Sequence, residues 1–421
     1  MSHKNANQIV LIPDRVIDGR SADCLENKAV IVDGQTITAV LDVSDITPES
    51  EVTRLEGMTL MPGMINCHEH PLMYSDDYQM AHLQASSAYK ALKGLATLQR
   101  LLLHGWTGVR VLGDIDKYYA NQDLRKVIEE GVFTGPRITG AGHYISITGG
   151  GGDINFASPE QCLCTDGLIA DGSEEMVKAI RTEAKYGADW IKLLVTGAFM
   201  TVGDNPKNVA FSPDELRSAV EEANRLNLPV AVHAHATAGI KQAVKAGVRS
   251  IEHGTYLDPE CIELMVEHGT YLVPTIYIGD YYGKIRKLRA QEKNDDYYQN
   301  YRGKFLNLIG KAHQAGVPIA VGLDLGGYNI DPIHFVGEFA VLVEAGLSEM
   351  EAIQAGTRVA ADLLMWDNLG TIEDGKLADM IAVEGNPTED IRMLEKVGFV
   401  MLDGKVVKSP DTPASLNGVL R

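Results

Sequence analysis

Cationic side chains are scarce in this sequence. Over 421 residues, 38 lysines and arginines face 57 aspartates and glutamates, a formal net charge of −19. A uniformly basic surface for nucleic acid or for an anionic membrane is thereby excluded. A small anionic substrate is not, because a local group of metal or arginine outweighs the global field. Long apolar runs are missing too: none approaches the roughly 20 residues of a membrane helix. The start, "MSHKNANQIVLIPDRVIDG", has no basic region followed by an apolar core, which reads as no secretory signal. Five cysteines (Cys24, Cys67, Cys162, Cys164, Cys261) make no spaced disulfide framework. The C-x-C at 162–164 is a weak metal signal, and free thiols fit a cytoplasmic chain, which is the expected location. No dinucleotide fingerprint follows an early strand, and there is no internal repeat or low-complexity tract.

What is present is alternation. "LMPGMINCHEH" (60–70), "GVRVLGD" (108–114), "PRITGAGHYI" (136–145), "DWIKLLVTG" (189–197), "LPVAVHAH" (228–235), "RSIEHG" (249–254), "TYLVPTIY" (270–277) and "GVPIAVGLD" (316–324) read as strands. Between them lie stretches of helical period such as "SPDELRSAVEEANRLN" (212–227), which opens with a cap, a proline and a capping-box acid. Eight strands alternating with helices predict an α/β fold, a (β/α)₈ TIM-type barrel over 60–360. Residues 1–59 and 361–421 alternate short strands with turns, and neither end has a core of its own. The expectation is one small composite β-sandwich domain built from both termini. The charged, tyrosine-rich insertion 281–305 falls after the seventh strand, where such a barrel carries active-site loops.

Residues two apart on a strand share a face, so His68 and His70 point the same way at a strand's C-terminal end. Metal ligation is the favoured reading of that pair. It gains company: His233 and His235 end the fifth strand, His253 the sixth and Asp324 the eighth. Catalytic groups of barrels gather on that face. Lys192 stands in the middle of the apolar fourth strand, sharing its face with Trp190 and Leu194. A buried ammonium costs several kcal/mol. Two readings remain: the ammonium snorkels to the strand end, or a neutral amine takes up carbon dioxide and the carbamate oxygens bridge two metal ions.

These motifs, with the closing "LGTIEDGKLADMIAVEGNP", resemble the amidohydrolase superfamily, specifically its prolidase-like branch of metal-dependent dipeptidases and carboxypeptidases. The resemblance covers nearly the whole chain. It implies two divalent metal ions, zinc being usual, with His68, His70 and Asp324 on the more buried ion. His233 and His253 would hold the more exposed ion, and carboxylated Lys192 would bridge both. It further implies attack of a metal-bridging hydroxide on an amide carbonyl, with Asp324 as catalytic proton shuttle. His143 resembles the histidine that stabilises the oxyanion, the alternative being a hydrogen bond behind the site. His235 resembles a contact to the substrate α-carboxylate, the alternative being a rim position.

The implied function is release of a C-terminal amino acid from dipeptides or N-acyl amino acids. The alternatives are hydrolysis of a cyclic or xenobiotic amide, imidazolonepropionase-like or ochratoxin-amidase-like, and a non-catalytic scaffold. The bridging lysine argues against the imidazolonepropionase-like case, whose relatives typically use one metal. The partner is a small molecule, with homo-oligomerisation left open. One departure from the family pattern is "ITGGGGD" (147–153), where Gly150, Gly151 and Gly152 stand in a run in which many relatives carry a histidine.

Overall fold

The computed structural model describes residues 8–46, 52–73, 75, 77–288, 295–326 and 330–410; within 284–300 it describes the course of the backbone alone. Apolar, β-branched segments form the parallel strands, and their burial is nearly complete. Trp106–Leu112 and Val230–Ala234 are buried at every position, as expected for strands covered on both faces.

Two parallel sheets result. Met64–Glu69, Trp106–Leu112 and Arg137–Ala141 pair in that order. Tyr144–Ser146, Ile191–Leu194, Val230–Ala234, Ser250–His253 and Tyr271–Val273 pair in the other. Helices connect them, among them Ser173–Lys185, Thr237–Ala246 and Pro259–His268. Pro213–Arg225 begins with the expected capping box on Ser212 and Glu215.

Hydrogen bonds outside the ladders join the two sheets. Asp189 N–H and Trp190 N–H donate to Gly140 O (3.0 and 3.2 Å). On the far side the segment 316–324 lies between the last strand and the first: Ala320 N–H donates to Leu272 O, Cys67 N–H to Val321 O and Asp324 N–H to His68 O, all at 2.8–2.9 Å. That segment, expected as an eighth strand, holds one bridge at Ile319 instead of a ladder. Pro318 has no amide hydrogen to give. Gly322 runs so close to the first strand that a Cβ there would lie 2.7 Å from His68 Cβ.

The two ends of the chain share one eight-stranded sheet. Its order is Lys405–Lys408, Val397–Leu402, Met380–Glu384, Val52–Pro62, Gln8–Val16, Lys28–Asp33 and Thr36–Asp42, with Leu25–Glu26 beside Gln8–Val16. Val52–Pro62 joins the halves, antiparallel to Met380–Glu384 and parallel to Gln8–Val16. The sandwich expected from the termini is thus one connected sheet with a buried cluster that includes Leu11, Val30, Leu60, Phe399 and Met401. The insertion after the last parallel strand becomes the helices Ile276–Leu288 and Asp295–Gln314; its residues 289–294 lie outside the described residues.

Arg137 seats the terminal sheet against the parallel strands. Its guanidinium grips Asp379 through two bonds (2.6 and 3.2 Å) and also reaches Asp403. Asp379 is buried, so removing its partner strands a carboxylate out of water. Arg137→Met should lower the unfolding free energy by about 3 kcal/mol, read from the denaturant midpoint.

Candidate metal centre

The strand ends place their side chains around one cavity, whose floor is His68, His70, Lys192, His233, His235, His253 and Asp324. Left-handed backbone helps to turn the chain there: His253 (φ +70°), Thr275 (+44°) and Asp324 (+52°) all occupy a region that non-glycine residues visit rarely. Such strain persists where the surroundings over-determine it. Asn66 is part of those surroundings. Its Oδ1 accepts from the N–H of His68 (3.1 Å) and of Leu323 (3.0 Å), and its Nδ2 donates to Glu69 (2.7 Å).

Most of the histidines are held by Nδ1. That atom meets Glu252 Oε2 in His68 (2.9 Å), Gly113 O in His70 (2.6 Å), Thr255 Oγ1 in His235 (2.9 Å) and Thr275 Oγ1 in His253 (2.7 Å). A carbonyl or a carboxylate only accepts, so His68 and His70 carry their proton on Nδ1 and present a bare Nε2. Those two Nε2 atoms lie 3.2 Å apart, with Asp324 Oδ1 3.6 and 3.5 Å away. His233 is the exception, its Nε2 meeting Gly197 O at 3.3 Å.

Burial keeps these rings neutral. It holds His68, His233 and His253 well below the usual histidine range, His70 at about 4 and His235 at about 3; Lys192 nearby adds to the effect. Lys192 Nζ is buried with no hydrogen-bond partner. Desolvation lowers its affinity for a proton, opposed by Glu252 and Asp324. Asp324 moves the other way, raised by desolvation.

Ligand atoms of His233, His235 and His253 lie within 4.8 Å of one another, as do those of His68, His253 and Asp324. Neutral imidazoles and a carboxylate suit a borderline divalent ion such as zinc, and facing Nε2 lone pairs with no proton between them fit a cation there.

His143 is not among the residues that line this cavity. Gly142 and His143 interrupt the third strand, and Glu183 of the helix Ser173–Lys185 binds the interruption. Its Oε2 accepts both N–H groups (2.9 Å each) and its Oε1 meets His143 Nδ1 at 2.8 Å. The interruption shifts the alternation, so Tyr144, which pairs across from Lys192, lines the cavity instead. Gly151 lines it too, its carbonyl held by Thr201 Oγ1 (2.8 Å).

Two further charged groups escaped the sequence reading: Glu252, buried under His68, and Arg110, which donates to it at 2.8 Å. A charge inside an apolar strand was the available signal, the same one that marks Lys192. Above the floor the cavity is mostly apolar, with Phe199, Met200, Ile276, Ile278, Phe305 and Leu325. At its edge Arg302 is spanned by Asp280 (2.6 and 2.7 Å) and Glu344 (2.7 Å).

His70 gives the centre a pH signature. With a folded value of about 4 against 6.5 in the open chain, it binds fewer protons folded than unfolded. Its contribution is therefore complete above pH 6.5 and is lost as pH falls toward 4. In the metal-free protein that amounts to about 3 kcal/mol across the window. Melting temperature against pH should fall less steeply in His70→Asn.

Among the described residues no helix is long and apolar enough to cross a membrane. The model of the amidohydrolase family matches residues 59–407. Ochratoxinase of Aspergillus niger is 33% identical over 425 residues, covering 92% of this chain and 84% of that protein. A solved Xaa-Pro dipeptidase with methionine bound in its active site superposes with a TM-score of 0.88 at 33% identity, over 96% of this chain and all of the other. A prolidase complexed with N-methylphosphonate-L-proline gives 0.86 at 31% identity, over 96% of this chain and 100% of that one. The chain belongs to the amidohydrolase family and is one of its metal-dependent hydrolases.

Proposed function

We propose that the chain binds two divalent cations, zinc by preference, and hydrolyses the amide bond of dipeptides or N-acyl amino acids, releasing the C-terminal amino acid. The observation that carries this reading is the close donor set itself: His68 Nε2 and His70 Nε2 at 3.2 Å, with Asp324 beside them. His68, His70 and Asp324 hold one cation, His233 and His253 the other. Lys192, whose amine has no hydrogen-bond partner and whose proton affinity burial lowers, would add carbon dioxide with loss of a proton and, as a carbamate, would supply a ligand shared by both. When bound, the cations would supply a water that ionises near neutral pH and would polarise the scissile carbonyl. Asp324 would take up the proton released there and hand it to the leaving amine. His235, oriented by Thr255, meets the substrate carboxylate.

The hydrogen bonds at both seams support reading the parallel sheets as a (β/α)₈ barrel, 60–360, with 1–59 and 361–421 as the composite β domain. The free thiols support a cytoplasmic protein. A second reading, cleavage of a xenobiotic amide with a bulky aromatic acyl group, draws on the apolar cavity wall and on the likeness to ochratoxinase. A scaffold without chemistry sits poorly with a donor set so fully assembled.

The test is amino-acid release by zinc-loaded enzyme in bicarbonate from dipeptides and N-acyl amino acids, with all twenty C-terminal residues. Release confined to one C-terminal class is expected, and silence with two metals bound moves the reading to other amides. Lys192→Ala should abolish release and the second metal. Asp324→Asn should cut kcat by about 10²–10⁴-fold.

A further inference from the structure

The buried pair Arg110–Glu252 has no part in the reaction as set out above, yet it is built with care. Glu252 Oε1 accepts from Arg110 Nη2 (2.8 Å) and from Ser250 Oγ (2.5 Å). Arg110 Nη1 donates to the same serine (3.0 Å) and Nε to Cys67 O (2.6 Å). The guanidinium lies 4.6 Å from the Trp190 ring centroid. Arg110 and Glu252 are both fully buried. With Oε1 committed to donors, Oε2 alone is left for His68 Nδ1, at 2.9 Å.

The geometry points to Arg110 and Glu252 as positioning residues that fix the tautomer of His68 and so decide whether its Nε2 can take a metal. The inference rests on the metal-centre reading above. An ionised carboxylate has no hydrogen to give, so the proton of a neutral His68 is held on Nδ1 and the lone pair on Nε2 faces His70 and Asp324. Arg110 acts through Glu252 by claiming one carboxylate oxygen, which sets the orientation of the group. A buried ion pair is weak evidence for stability, which makes a specific role in orientation the better account of these two charges.

This has a consequence that packing alone does not predict. In Glu252→Gln the shape is kept, but Arg110 can only donate, so the amide oxygen must face Arg110 and the amide N–H₂ must face His68. His68 Nδ1 then has to accept, its proton moves to Nε2, and the ligating lone pair is gone. In the double variant R110M/E252Q the amide is free to turn its oxygen to His68 and its N–H₂ to Ser250, and the original tautomer returns.

The experiment measures zinc per chain against chelator-buffered free zinc for wild type, E252Q and R110M/E252Q. In parallel, the imidazole nitrogens of the three metal-free proteins are observed by ¹⁵N NMR. Expected are two zinc ions in wild type, an affinity lower by about 10–100-fold at one site in E252Q, and recovery of at least about tenfold of that loss in the double variant. The proton of His68 should sit on Nδ1, Nε2 and Nδ1 in turn. E252Q binding both ions as tightly as wild type overturns the inference, as does a double variant no better than E252Q. Should E252Q fail to fold, wild type still decides: a His68 proton on Nε2 overturns the inference. Should wild type bind no zinc, the metal-centre reading falls, while the tautomer measurement still tests the hydrogen-bond control.

Discussion

Lys192 Nζ lies inside the parallel sheets without a hydrogen-bond partner, and an isolated ammonium there would lose several kcal/mol of hydration. Its surroundings have to answer that cost. Glu252 and Asp324 pull toward the charged form, while burial and Arg110 pull toward the neutral one. The same desolvation keeps the neighbouring imidazoles unprotonated. The floor of the cavity consequently gathers imidazole lone pairs at close range, an arrangement that a cation relieves. The dry strand interior and the metal centre are one constraint seen from two sides.

Much of this was legible in the sequence because it depends on a period of two. His68 and His70, His233 and His235, and Lys192 with Leu194 share faces for that reason alone, and the strand ends are marked by glycine or by polar residues. The third strand shows where the argument stops working. One interruption at Gly142–His143 re-phases the alternation, and the carboxylate that holds it is Glu183, a residue of the following helix that no local pattern connects to the strand. The segment 316–324 failed as a strand for a related reason: it answers to the first strand through Asn66 and Gly322, contacts more than two hundred and fifty residues apart in sequence.

The cavity wall was less legible still. Its apolar side comes partly from the start of the helix Ile276–Leu288 and from Phe305 in the next helix, in a stretch whose composition is mostly polar. Burial there is set by which turn of each helix leans over the strand ends, a tertiary outcome. Glu338 contributes from a third helix, Gly337–Glu344, accepting the N–H groups of Ile276 (3.0 Å) and Tyr277 (2.7 Å). It thereby satisfies backbone donors at the N-terminus of the first helix. Arg302, held by Asp280 and Glu344, ties the same three helices at the cavity's edge. With its guanidinium satisfied by two carboxylates, Arg302 serves to fix the wall.

The hydrogen bonds behind the histidines decide which ring nitrogens are free. Glu252 and Gly113 O accept only, and so dictate which ring nitrogen of His68 and His70 is bare. Thr255 and Thr275 can either donate or accept, so they orient His235 and His253 without fixing the proton. The first pair of histidines is therefore committed to one role before any ligand arrives, and the second pair retains a choice. For a centre that is to bind cations, such a division has a physical logic. A cation placed between His68 and His70 would find its donors pre-organised, whereas His235 and His253 keep rings whose proton can follow a change of partner.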